Sequence, residues 1–221
     1  TNSKGEYLFE NLESGTYYID FTEIDKLAAV TDKNQGTSTD IDSDAISVEN
    51  SNSTINHAYI ENIELPDASD MLDFNFVSEH NDIGVYYRLG SITINKLDKD
   101  KNVLPGVNYA LYTSDESMKN DDIYEYNGIT YYKLEEQTTN NNGNAIFDDI
   151  AGDGVIKYII IETSTVEGQS LLEDVIDVGA LPAKIRSSQL NDNYKGQYFI
   201  EGDHAYCYDL TFEITDGVLF T

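Results

Sequence analysis

The sequence predicts an all-β protein of two tandem β-sandwich domains, and three observations predict it. Apolar and polar residues alternate at period two in Ser91–Asp98, and further short strand-like runs such as Val107–Tyr112 follow. Clusters of Gly, Asn and Asp separate the runs at turn positions. A motif also occurs twice: Thr1-Asn2-Ser3-Lys4-Gly5-Glu6-Tyr7-Leu8-Phe9-Glu10-Asn11-Leu12 matches Thr139-Asn140-Asn141-Asn142-Gly143-Asn144-Ala145-Ile146-Phe147-Asp148-Asp149-Ile150.

Each copy reads as a turn, a short strand, a second turn and a longer strand. The longer strands are Thr16–Phe21 and Lys157–Glu162, and Phe9 or Phe147 faces the core. The second copy is preceded by two strands, Ser91–Asp98 and Val107–Tyr112. The first copy starts at its turn, so residues 1–89 read as a domain without its opening strands. Polar Glu79–Gly84 reads as a linker, with the domain boundary near Arg88 to Gly90. The second domain is 90–221, with an insertion near 163–202 in which Ser170–Val178 and Ala183–Leu190 have short helical spacing. Tyr206–Ile214 and Val218–Thr221 read as closing strands.

Composition narrows the partners. The 221 residues hold 13 Lys plus Arg against 41 Asp plus Glu, a formal net charge of −28. Nucleic acid is excluded as a partner, because phosphate binding needs clustered cations. Anionic membrane surfaces are disfavoured for the same reason. Hydrophobic residues make up 40%, enough for a packed core. Cys207 is the single cysteine, so no intrachain disulfide forms; between Tyr206 and Tyr208 it reads as a small buried hydrophobe. The sequence has no signal peptide, no apolar run of membrane length and no sorting signal, and does not start with Met, so it reads as a segment of a longer protein.

Two constellations carry chemistry. Ile92, Ile94 and Lys96 share one strand face, and the two isoleucines choose the core, so Lys96 points inward. Tyr158, Ile160 and Glu162 likewise share a face, but Ile159 and Ile161 are apolar too, and the pattern leaves the buried face open. Asp40, Asp42 and Asp44 alternate with Ile41 and Ser43, and calcium is the cofactor such a hard-oxygen set would hold. The EF-hand glycine and glutamate are missing, so a solvated acidic turn is the competing reading. Bound calcium would stabilise the fold, and a titration that leaves the melting temperature unmoved rejects the site. No nucleophile elbow, phosphate loop or Ser/His/Asp set is present, so the chain reads as no enzyme. Tyr17-Tyr18, Tyr86-Tyr87 and Tyr131-Tyr132 read either as sugar-stacking platforms or as strand residues.

Ser91–Asp98, Leu104-Pro105-Gly106 with Val107–Tyr112, the turn from Thr139 and Tyr158–Thr163 together resemble a Cna B-type domain, over roughly residues 90–221. These are prealbumin-like (Ig-like) β-sandwiches of Gram-positive pilins and adhesins. Residues 1–77 resemble part of the B-type repeat of serine-aspartate-repeat adhesins, through Gly5–Tyr17 and Asp40–Ala45. The resemblance implies an isopeptide bond between a lysine, here Lys96, and an Asn or Asp on the last strand, with Glu162 as catalytic acid and buried face. Asp216, in turn-like Thr215-Asp216-Gly217, reads as a poor acceptor. The last strand and the acceptor are therefore expected after Thr221, with none in the chain. The implied role is a stalk or adhesion module, extracellular and cell-wall anchored in the parent, beside tandem neighbouring domains and with no direct membrane insertion. The alternatives are a ligand-binding module for a host extracellular matrix protein or glycan, and an accessory domain of a secreted enzyme.

Overall fold

A computed structural model describes residues 2–3, 5–22, 24–25, 27–31, 33, 43–49, 55–67, 78 and 81–220. These are organised as strands and turns, with two short 3-10 turns at Glu116–Met118 and Ser187–Gln189. No helix among them is long and apolar enough to cross a membrane. Contacts divide the chain into two compact units between Tyr86 and Tyr87.

In the first unit, strands β1 (Gly15–Phe21), β3 (Ile46–Glu49) and β4 (Ile55–Leu65) form a sheet in the order β1-β4-β3. Strand β2 (Ala28–Val30) pairs with β5 (Val85–Tyr87). A small core of Ala29, Val30, Ala45, Ala58 and Ile60 lies under the three-stranded sheet, with Ile19, Phe21 and Ile63 packed on it.

The second unit is a sandwich. Its strands are β6 (Leu89–Leu97), β7 (Asn108–Thr113), β8 (Ile123–Tyr126), β9 (Ile129–Thr138), β10 (Asn144–Ala151), β11 (Lys157–Ser164), β12 (Ile176–Ala180), β13 (Ala183–Arg186), β14 (Tyr198–Glu201), β15 (His204–Cys207), β16 (Asp209–Thr215) and β17 (Val218–Phe220). One sheet has the order β10-β6-β16-β17 and the other β12-β11-β7-β9-β8. The first supplies Ile92, Ile94, Phe147 and Ile214 to the core, and the second supplies Tyr109, Leu111, Tyr158, Ile160 and Ile176. A second apolar cluster, Ala110, Tyr112, Tyr131 and Ile159, draws on the residues of β7 and β11 that alternate with that set. The strands β7 and β11 are thus apolar on both faces because both faces are covered.

The repeat survives as backbone conformation. Gly5 and Gly143 sit at φ 82° and 75°, and Asn11 and Asp149 both at 58°. In each copy the glycine N–H donates to Asn2 or Asn140, at 3.0 and 2.8 Å. The expectation for Phe9 is corrected: Phe147 is fully buried, whereas Phe9 is 60% exposed. Strand β10 pairs with β6, which carries Phe147 into the sandwich. Residues 6–12 form no strand.

The two short helices are also corrected. Leu172 and Ile176, four apart, imitate a helical stripe, but Ile176 and Val178 alternate with Asp177 and form β12, an edge of the five-stranded sheet. Residues from Ala183 onward form β13, and β13, β15 and β14 make a separate three-stranded sheet. Cys207 is free and buried there, and burial pushes its thiol pKa up. Strand β16 then runs parallel to β6, with Ile214 beside Lys96. But for Thr215, it falls within the closing stretch Tyr206–Ile214 that the sequence reading marks as a strand.

A buried lysine–glutamate pair in the sandwich

Strand β6 alternates strictly. Ile92, Ile94 and Lys96 point inward at 0, 0 and 1% exposure. Such parity places the Lys96 amine in the core without any special loop. Glu162 stands on β11, on the face it shares with Tyr158 and Ile160, and is 3% exposed. The two groups meet: Lys96 Nζ donates to Glu162 Oε2 at 2.7 Å and to Oε1 at 3.0 Å. Removing two charges from water is costly, and only close, fully hydrogen-bonded geometry offsets it.

Further groups complete that geometry, and sequence reasoning missed them. Tyr109 on β7 is the cross-strand partner of Glu162. Its hydroxyl donates to Glu162 Oε2 at 2.9 Å. It was open to discovery, because Val107, Tyr109 and Leu111 share one strand face. The Ser170 carbonyl accepts from Lys96 Nζ at 3.3 Å. Ser170 also reaches the β16–β17 turn, where its hydroxyl donates to Asp216 Oδ1 at 2.9 Å. Asp216 is a left-handed turn residue at φ 49°, and its N–H donates to Leu97 O at 3.2 Å. Lys96 and Asp216 therefore flank one serine.

Burial, then the negative charge of Glu162 and the hydrogen bond to it, push the Tyr109 pKa far up. The phenol stays protonated and remains a donor. Tyr158, buried and facing Asp153, is pushed up to about 12. In the unfolded chain these phenols lose their protons near 10. Above that pH the folded state holds more protons than the unfolded state, so stability falls as pH rises. Melting temperatures measured across this range should decline from about pH 10 upward, and Tyr109→Phe should flatten the decline.

Of the acidic trio, Asp40 and Asp42 lie outside the described residues. Asp44 is described, and its Oδ2 accepts from the Asp82 N–H at 3.4 Å. Among the described residues no group of three or more metal-ligating side chains occurs.

No curated protein matches the chain. Among solved structures, the full-length major pilin SpaD from Corynebacterium diphtheriae is similar at 18% identity over 58% of this chain and 30% of that one, with a TM-score of 0.37. BcpA, the major pilin subunit of Bacillus cereus, is similar at 16% identity over 92% of this chain and 60% of that one, with a TM-score of 0.32. A group B streptococcus pilus 2b backbone protein is similar at 15% identity over 93% and 87%, with a TM-score of 0.36. The chain thus spans less than a third of the full-length SpaD pilin. Residues 1–68 match the family description of the SdrD B-like domain, and residues 90–192 match that of a prealbumin-like fold domain. The chain is therefore similar to an SdrD B-like domain over residues 1–68 and to a prealbumin-like fold domain over residues 90–192.

Proposed function

We propose that the chain is a structural stalk or adhesion module of a Gram-positive cell-surface protein, toughened where Lys96 meets Glu162. The single observation that carries this reading is the buried Lys96–Glu162 contact at 2.7 Å inside a prealbumin-like sandwich. A fold hosts many functions, so the site and not the sandwich supports the choice. Anchoring to the cell wall belongs to the same proposal.

The chemistry is an amide condensation. One proton passes from the Lys96 ammonium to Glu162 along their contact, which replaces two buried charges with two neutral groups. The neutral amine attacks a side-chain carboxyl carbon. A C–N bond forms and a C–O bond breaks; the second amine proton passes from nitrogen to the departing carboxylate oxygen, Glu162 returns the first, and that oxygen leaves as water. Tyr109 positions Glu162 throughout. The sequence reading places the acceptor after Thr221. The parallel pairing of β16 with β6 favours Asp216 instead, because its carboxylate already accepts from the serine whose carbonyl holds Lys96.

The test is the intact mass of the folded chain. A mass short by one water, with a branched peptide joining Lys96 to Asp216, is the expected result. Asp216→Ala should restore the full mass. A folded wild-type chain at full mass overturns the cross-link to Asp216 and leaves an ion pair.

A further inference from the structure

The first unit carries an open groove of about 390 Å³ on one face of the β1–β4 pair, remote in sequence from Lys96. Its walls include Tyr17, Tyr18, Asp20, His57, Tyr59 and Glu61. Alternation fixes the face: Ala58 and Ile60 are buried in the core, so His57, Tyr59 and Glu61 project the other way. Asp20 is the cross-strand partner of Tyr59. The register slips between Tyr17 and Ile19, and Asn62 sits at φ 61°. Such a bulge re-aims side chains, and it leaves Tyr18 71% exposed. Of the three tyrosine pairs, Tyr131-Tyr132 is buried, while Tyr17-Tyr18 lines this groove.

Two features of the groove point to one class of ligand. Tyr18 and Tyr59 offer aromatic rings, whose faces attract cations. Asp20 and Glu61 flank them, and among the described residues neither carboxylate has an ion pair or a side-chain hydrogen bond. Ordinary surface carboxylates need no partner, but two of them beside the exposed Tyr18 ring and the half-buried Tyr59 ring form half of a cation site. The net charge of −28 adds a long-range field that draws in cations and repels anions. An open trough suits an extended chain better than an enclosed small molecule.

We propose that this groove takes an arginine side chain of a basic, extended peptide segment. The planar guanidinium would stack on Tyr18 or Tyr59 and donate to Asp20 and Glu61, a geometry that lysine's point charge cannot match. A neutral glycan would use the rings but would leave the two carboxylates largely unexploited. The inference concerns the first unit alone and stands or falls independently of the Lys96 chemistry.

The experiment is a titration of the ¹⁵N-labelled full chain with the peptide acetyl-Gly-Arg-Gly-amide. Saturable amide shifts confined to residues 16–20 and 57–62 are expected. Tyr18→Ala, and separately the pair Asp20→Asn with Glu61→Gln, should each weaken binding by about tenfold or more. The citrulline analogue, equal in shape but neutral, should not bind. The unchanged remainder of each spectrum certifies that the variant is folded. Shifts scattered over the whole surface and indifferent to Tyr18→Ala would show only diffuse attraction to an acidic protein, and would overturn the site. So would shifts at these residues with chitohexaose but none with the peptide, which would make the groove a glycan platform.

Discussion

Glu162→Ala is expected to lower the stability of the second unit by about 3–5 kcal/mol, because it strands the Lys96 ammonium in the core. The magnitude follows from burial. The Lys96 and Glu162 side chains are 1% and 0% exposed, so neither water nor salt can replace the lost partner. Among the described residues, the Ser170 carbonyl at 3.3 Å is the one further acceptor that Lys96 contacts. Tyr109 would lose its acceptor too, leaving a second buried polar group unsatisfied. An amide to Asp216 would add to this loss, since a covalent tie across a loop of roughly a hundred residues stabilises by about 4–5 kcal/mol in the loop-entropy picture. Urea denaturation followed by circular dichroism measures the change. The companion variant combines Lys96→Met, Glu162→Leu and Tyr109→Phe, which removes every polar member together. Its stability should lie within about 1–2 kcal/mol of an uncross-linked parent, because an apolar set of similar volume replaces the ion pair with little loss. A loss under about 1 kcal/mol in Glu162→Ala would mean that Lys96 escapes to solvent on its flexible stem.

Phe147→Ala is expected to cost about 3–5 kcal/mol, and the equivalent change in the other copy of the repeat, Phe9→Ala, no more than about 0.5 kcal/mol. Phe147 is fully buried against Ile92, its cross-strand partner, so truncation leaves a cavity between the two sheets. Phe9 is 60% exposed and meets chiefly the Tyr7 ring, at 5.9 Å between centroids. Native-state hydrogen exchange reads the two effects separately, at the amides of β6 and β10 for Phe147 and of β1 and β4 for Phe9. Equal losses at the two positions would show that Phe9 has a core of its own.

Much of the Lys96 site was legible because strand parity is a local property. Three residues two apart, Ile92, Ile94 and Lys96, specify an inward lysine without reference to any other strand. The same rule failed to choose for β11, where Ile159 and Ile161 compete with Ile160 and Glu162. Both faces there are covered, by different clusters, so hydrophobicity carries no directional information. Asp216 was read correctly as a turn residue and for that reason passed over. Its place beside Ser170 depends on a parallel pairing between strands more than a hundred residues apart, which no local pattern encodes. The apparent helix near Leu172 failed for a related reason: Ile176 and Val178 alternate with Asp177 in an edge strand, and Leu172 lies before that strand begins.

The backbone of the repeat belongs to the sequence alone. Gly5 and Gly143, like Asn11 and Asp149, adopt matching left-handed conformations, since the preference of Gly, Asn and Asp for positive φ is set by their own sterics. What becomes of the phenylalanine between those turns is a tertiary matter. Phe147 is buried because β10 finds a partner in β6 and a second sheet closes over the pair. Phe9, in the same local sequence, stays in water. Conformation at a turn is decided within one residue, whereas burial is decided by whatever surface arrives from elsewhere in the chain.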